Sequence, residues 1–151
     1  LQQRFGERYP IPMGSLSVTV ELRGQGDVNH GLAALDCQAI IDYLIHFGAI
    51  RGNAAPLPAL AYPATPLAAV EPVTTAVGGL LVFSALPGEY LEAGQLVAEI
   101  IDPITDRVTP VHCQHAGLLY ARSLRRMATA GMVICHVAGT QAYRSGYLLS
   151  P

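Results

Sequence analysis

An internal repeat in the second half limits most strongly what this chain can fold into. Gly79-Leu80-Leu81 returns as Gly117-Leu118-Leu119, and Ala93-Gly94-Gln95-Leu96-Val97 returns as Ala130-Gly131-Met132-Val133-Ile134. The first pair lies 38 positions apart and the second 37, so the first copy holds one extra residue. Each copy runs strand, turn, Ala-Gly turn, strand. Two similar β-units of this size predict a pseudo-twofold β-sandwich in which each half covers the apolar face of the other. The joining segment, Asp102-Pro103-Ile104-Thr105-Asp106-Arg107, has hairpin turn chemistry.

This repeat resembles the biotinyl/lipoyl carrier fold, a barrel-sandwich hybrid built from two such halves. In carriers the modified lysine sits in the hairpin joining the halves, here about Asp102 to Arg107. All nine basic side chains of this chain are arginines. Carrier chemistry is therefore excluded, as is any lysine Schiff base or phosphate-loop lysine, and the carrier-like shape remains as a scaffold. Charged residues make up 13% of the 151 and the formal net charge is -2, against about 25% charge in an average domain. The arginines are scattered, so the composition argues against disorder and against a nucleic-acid partner.

Ahead of the repeat the pattern changes twice. Ser15 to Leu22 alternates without a slip, with Leu16, Val18, Val20 and Leu22 on one face and Ser15, Ser17, Thr19 and Glu21 on the other. Period two with β-branched residues predicts a strand ending in the turn-rich Arg23 to Asp27, which puts Glu21 at its carboxyl end. From Gly31 to Phe47, Leu32, Leu35, Ala39, Tyr43 and Phe47 recur at three- and four-residue spacings. That is an amphipathic helix, capped by Asn29 or Asp27 and ended by Gly48. Residues 53–72 carry Pro56, Pro58, Pro63, Pro66 and Pro72 among many alanines, and read as an extended connector. The expected organisation is thus a strand and helix over 1–52, the connector over 53–72, the β-sandwich over 73–139 and a tail strand over 140–151.

The run TVELRGQGDV, followed by a helix ending in HFGAIRG, is similar to the C-terminal part of the succinylglutamate desuccinylase/aspartoacylase family. These are zinc-dependent deacylases related to zinc carboxypeptidases. The likeness continues through the connector, GGLLVFSALPGEYLEAGQLVAEIIDP and the closing Arg144 to Pro151. It implies a mainly β chain with one α-helix: a lysine-free barrel-sandwich hybrid preceded by a strand-helix remnant of an α/β catalytic domain. The Glu of the family's TVE motif, a general acid/base, maps onto Glu21. Arg23, two residues on, would share its face if the strand continues, and could pair with Glu21 or touch an anionic substrate, with a surface arginine at the turn as the equal alternative. The resemblance also implies a small N-acyl amino acid-like substrate.

The family's zinc ligands are a His-x-x-Glu pair and a later His, all upstream of TVE. No His-x-x-Glu occurs here, so no metal ligand is assigned to this chain, and zinc would belong to a longer parent with an N-terminal zinc-binding domain. The fragment alone is expected to be inactive. The competing reading is a non-catalytic β-sandwich binding or adaptor module that retains deacylase-like architecture.

Other candidates read as structural. His112, Cys113 and His115 cannot converge on a metal from a regular strand, because 112 and 115 point to opposite faces. His30 and His46 belong to the ends of the helix. Arg122, Arg125 and Arg126 are expected in a solvated loop or against the absent domain, and the Gly24-x-Gly26 and Gly78-Gly79 pairs in turns. Three widely spaced cysteines, Cys37, Cys113 and Cys135, suit free thiols in a reducing, cytoplasmic setting. No apolar run approaches the ~20 residues of a membrane helix. A homo-oligomer is expected if the apolar face of the strand and helix lacks its partner domain.

Overall fold

The computed structural model describes residues 15, 17–60 and 62–148. The chain divides into two compact units, Leu1–Ala59 and Leu60–Pro151, and the division falls inside the proline-rich connector.

In the first unit the predicted helix forms as α1, His30–His46. Asn29 caps it: its backbone is extended and its side-chain oxygen accepts from the N–H of Leu32 at 2.9 Å. Gly48 closes the other end at φ 80, the left-handed region that glycine enters at little cost. Tyr43 and Phe47 stack one turn apart, with ring centroids 5.9 Å apart, and Gln38 donates to Asp42 at 2.9 Å on the same spacing. No residue of α1 is buried.

The predicted strand over Ser15 to Leu22 is corrected. The described residues of that segment belong to no strand, and Val18, Val20 and Leu22 are exposed. Alternation sorts side chains onto two faces, but a strand also needs a neighbouring backbone to complete its N–H and C=O bonds. No strand among the described residues pairs with this segment.

The second unit carries eight strands: β1 Val70–Thr74, β2 Gly79–Phe83, β3 Tyr90–Leu91, β4 Leu96–Ile101, β5 Val108–His112, β6 Gly117–Arg122, β7 Met127–Ala128 and β8 Val133–Ala138. They form two four-stranded antiparallel sheets, in the orders β1-β8-β6-β3 and β5-β4-β2-β7, and the sheets do not close into a barrel. Replacing each of β1 to β4 by its counterpart among β5 to β8, and the reverse, turns one order into the other. Each half supplies the central pair of one sheet and both edges of the other, so neither half can complete a sheet alone.

One core holds the sheets together. Val73, Leu91, Leu119 and Ile134 from the first sheet and Leu81, Val97, Ile100 and Val111 from the second belong to a single buried cluster. The inward residues alternate with outward ones as period-two patterning requires, except at Val97–Ala98 in β4 and Ile134–Cys135 in β8, where the pairing register shifts and two consecutive residues are buried.

Two boundaries move. The connector stops short of residue 72, because Val70, Glu71 and Pro72 lie in β1. An edge strand tolerates Pro72, since a missing N–H there breaks no ladder on the outer side. The tail strand over 140–151 is also corrected: residues 140–148 form no strand, and 149–151 lie outside the described residues. Instead the N–H groups of Tyr143 and Arg144 both donate to the carbonyl of Ala68, at 3.1 and 3.0 Å. That carbonyl lies in the short 3-10 turn Leu67–Ala69 before β1, so the tail folds back onto the start of the sandwich.

Candidate functional site

Glu21 is exposed, immediately ahead of the turn that leads into α1. The turn is ordered by its own polar groups. The Asp27 carboxylate accepts from the N–H of Gly24 at 2.9 Å, and the Asp27 N–H donates to the Gly24 carbonyl at 3.0 Å. Arg23 takes φ 61, so the backbone leaves any extended path there, and the premise that Arg23 shares a strand face with Glu21 fails. Its guanidinium pairs with Asp36 of α1 at 2.6 Å. That hydrogen bond raises the pKa of Arg23 and lowers that of Asp36. The pair is exposed and ties the turn to the helix.

Beside this turn lies a groove of about 600 Å³, walled by Leu22, Val28, Leu32, Ala33, Ile40 and Ile41, with Asp27, Asp36 and Cys37 among its polar lining. Glu21 does not line it. A lone carboxylate of this kind can accept and return a proton, but it cannot hold a metal ion unaided. Among the described residues no group of three His, Cys, Asp or Glu side chains is placed to bind one. The residues present therefore do not fit a zinc site by themselves.

The second unit separates the histidines and cysteine that cluster in sequence. His112 is exposed at the end of β5. Cys113 is buried, its thiol donates to the Glu92 carbonyl at 3.1 Å, and burial raises its pKa. His115 stacks on Tyr143, ring centroids 3.7 Å apart, with Nδ1 3.4 Å from Glu71.

Sequence patterning does not single out Glu71, although it is one of two buried polar side chains among the described residues. Its carboxylate accepts from the N–H of Gln114 at 2.8 and 3.0 Å and from that of His115 at 2.8 Å, fastening β1 to the turn between β5 and β6. A signal is present all the same: Val70-Glu71-Pro72-Val73 returns as Val108-Thr109-Pro110-Val111. The repeat thus begins at β1, and Glu71 marks a departure from it. Arg122 is likewise no loop residue: it lies on β6, donates to the Ala85 carbonyl at 3.1 Å and sits over the Phe83 ring at 4.9 Å.

A second groove, of about 410 Å³, crosses the outer face of the first sheet. Its floor is one rung of residues paired across all four strands, Val70, Ala138, Leu118 and Tyr90. Tyr62, Pro63, Thr65 and Leu67, from the segment before β1, form its wall, with Tyr120 alongside.

No protein-family model matches the chain, and no curated protein matches it. Solved structures do. The ectoine utilization protein EutE (DoeB) from Ruegeria pomeroyi superposes with a TM-score of 0.66 at 19% identity, over 78% of this chain and 37% of that one. A succinylglutamate desuccinylase/aspartoacylase family protein from Shewanella amazonensis gives 0.66 at 16% identity, over 74% of this chain and 31% of its own. A succinylglutamate desuccinylase from a Silicibacter species gives 0.58 at 25% identity, over 79% and 37%. The chain therefore spans about a third of the length of the structures it matches, and its fold is the one found in a portion of succinylglutamate desuccinylase/aspartoacylase family structures.

Proposed function

We propose that this chain is the C-terminal part of a deacylase that hydrolyses the amide of an N-acyl amino acid or a similar small amide, with Glu21 as its proton carrier. The supporting observation is the shared fold with desuccinylase and aspartoacylase structures, in a chain where the TVELRG run stands directly ahead of a capped turn and helix. The β-sandwich is read as the lysine-free, biotinyl/lipoyl-like scaffold appended to that catalytic domain.

The chemistry asked of Glu21 is general acid/base work. As water adds to the amide carbonyl, the carboxylate takes its proton. As the C–N bond breaks, the same group returns that proton to the leaving nitrogen, giving a carboxylate and an amine. Such groups contribute about 10² to 10⁴ in rate. Zinc, which the resemblance implies, would supply Lewis-acid polarisation when bound. Its ligands would come from residues upstream in a longer parent, so the 151 residues by themselves are inactive.

In the parent enzyme Glu21→Gln should lower kcat by at least ~10²-fold with KM little changed, since the side chain acts on the proton in flight rather than on bound substrate. Steady-state kinetics on an N-acyl amino acid series measures this. Near wild-type turnover in Glu21→Gln rejects the assignment. A parent without an upstream His-x-x-Glu and second His would favour the adaptor reading.

A further inference from the structure

The two sheets of the second unit match in strand order but not in how their outer faces are treated. On the first sheet the rung Val70, Ala138, Leu118 and Tyr90 is bordered by the segment Tyr62 to Leu67, which runs in ahead of β1. The corresponding rung of the second sheet is Val108, Ile101, Leu80 and Met127. Leu80, Val108 and Met127 are exposed, as is Val82 one step along β2. The segment ahead of β5 cannot serve this face. It is the tight turn Asp102 to Arg107, closed by the Asp102 N–H to the Arg107 carbonyl and the Asp106 N–H to the Asp102 carbonyl, both at 2.9 Å. A row of apolar side chains on an exposed sheet face marks a contact surface.

The chain carries a second stretch with the chemistry of the segment that borders the first face. Pro56-Leu57-Pro58-Ala59-Leu60, like Pro63-Ala64-Thr65-Pro66-Leu67, is uncharged and proline-spaced. Leu57 and Leu60 are 68% and 85% exposed among the described residues. Leu60 stands two residues before Tyr62, which borders the outer face of the first sheet. Two residues span at most about 7 Å, whereas stacked sheets lie about 10 Å apart, so Leu60 cannot reach the outer face of its own second sheet. The charges also complement each other. Glu99, opposite Val82, is the one carboxylate in the strands of the second sheet, on the face of Leu80 and Val82, and no cation among the described residues pairs with it. Arg51, just ahead of the stretch, is likewise in no ion pair among the described residues, and no other charge intervenes before Glu71.

We propose that a second copy of this chain lays its Pro56 to Leu60 segment across the outer face of the second sheet, with Arg51 directed to Glu99, and that reciprocal exchange forms a two-fold dimer. This surface is distinct from the apolar face of α1 and does not depend on the deacylase reading.

Light scattering over a concentration series on the 151-residue chain should show a dimer. Leu57→Asp with Leu60→Asp, and separately Leu80→Asp, should each raise the dissociation constant at least ~10-fold, the loss of one strong anchor. Glu99→Arg should weaken the dimer, and adding Arg51→Glu should restore it. All these positions lie away from the buried core, and circular dichroism melting confirms that each variant is folded. A monomer at the highest soluble concentration overturns the proposal. So does a dimer that Leu80→Asp disrupts while Leu57→Asp with Leu60→Asp does not, which would mean sheet-to-sheet packing. A dimer sensitive only to Leu35→Asp on α1 would locate the contact on the helix instead and overturn it equally.

Discussion

Glu71 is the residue on which the second unit most visibly departs from its own repeat. Its counterpart, Thr109, is a neutral side chain at the same inward position of β5, whereas Glu71 is buried and accepts from two main-chain N–H groups of the β5–β6 turn. Glu71→Ala would strand those donors, and hydrogen bonds to a charged group contribute about 1.5–3 kcal/mol. We expect a loss of about 3 kcal/mol in urea unfolding, and a change under ~0.5 kcal/mol, the range of an ordinary surface substitution, would rule out the clasp. The cysteines separate by the same logic of burial. Desolvation, with the Glu71 and Cys113 charges adding, pushes the Cys135 thiol up to about 12, and burial also raises Cys113, while Cys37 is exposed on α1. Only the thiolate reacts, so iodoacetamide at pH 8 should modify one cysteine in the native chain and three in denaturant. Because the Cys135 pKa is raised, moving from pH 8 to pH 9 should leave that site unreactive while the chain stays folded. Mass spectrometry of the labelled chain reads the count, and rapid labelling of two or more native thiols would contradict the buried placement.

Among the elements, the central strands β2 and β6 each begin on a glycine whose surroundings admit no side chain. A Cβ on Gly79 would meet the carbonyl of Ile101 at 2.5 Å, and one on Gly117 would run into the carbonyl of Ala138, the equivalent neighbour in the other half. Gly131 differs: its φ is 81, but open space lies where a Cβ would go. Gly117→Ala should therefore destabilise by at least about 2 kcal/mol through overpacking against backbone, and Gly131→Ala by about 1–2 kcal/mol through its left-handed φ alone. Chemical denaturation of the two variants compares them, and a smaller cost at Gly117 than at Gly131 would show that the strand start can relax. The elements also mark where pattern reading stops. The helix was legible because its cap, period and terminal glycine are all local, and Asn29 and Gly48 play the parts their residue types predict. The strand over Ser15 to Leu22 was not, because pairing depends on which backbone comes alongside. Arg23 takes the alternative of an exposed arginine at the turn, and its left-handed φ and its partner Asp36, on the next element, are not written into the TVELRG run.

At the scale of the whole molecule, the buried cluster lies entirely between Val73 and Val137, within the second unit, while no described residue of the first unit is buried. A chain of residues 60–151 should consequently unfold in one cooperative thermal transition, and residues 1–59 alone should show none, since cooperativity follows a shared core. A non-cooperative melt of 60–151 would mean that the sandwich needs the first unit to fold. The repeat carried the architecture into the sequence: period-two alternation set which side chains face inward, and two similar halves required each to cover the other. The absence of lysine by itself removed carrier chemistry, and the TVELRG run pointed to Glu21. Only the tertiary structure decided that the halves exchange edge strands and that Glu71 fastens β1 to a turn 43 positions away. It also decided that Cys113 is buried against the Glu92 carbonyl while His115 stacks on Tyr143, and that one outer sheet face is bordered by a preceding segment while the other is exposed among the described residues. The division has a physical basis. Periodicity, capping and turn chemistry act between residues a few positions apart, so a sequence displays them directly. Edge pairing, buried hydrogen bonds and covered faces depend on which distant segments meet, and that is settled only when the chain closes its core.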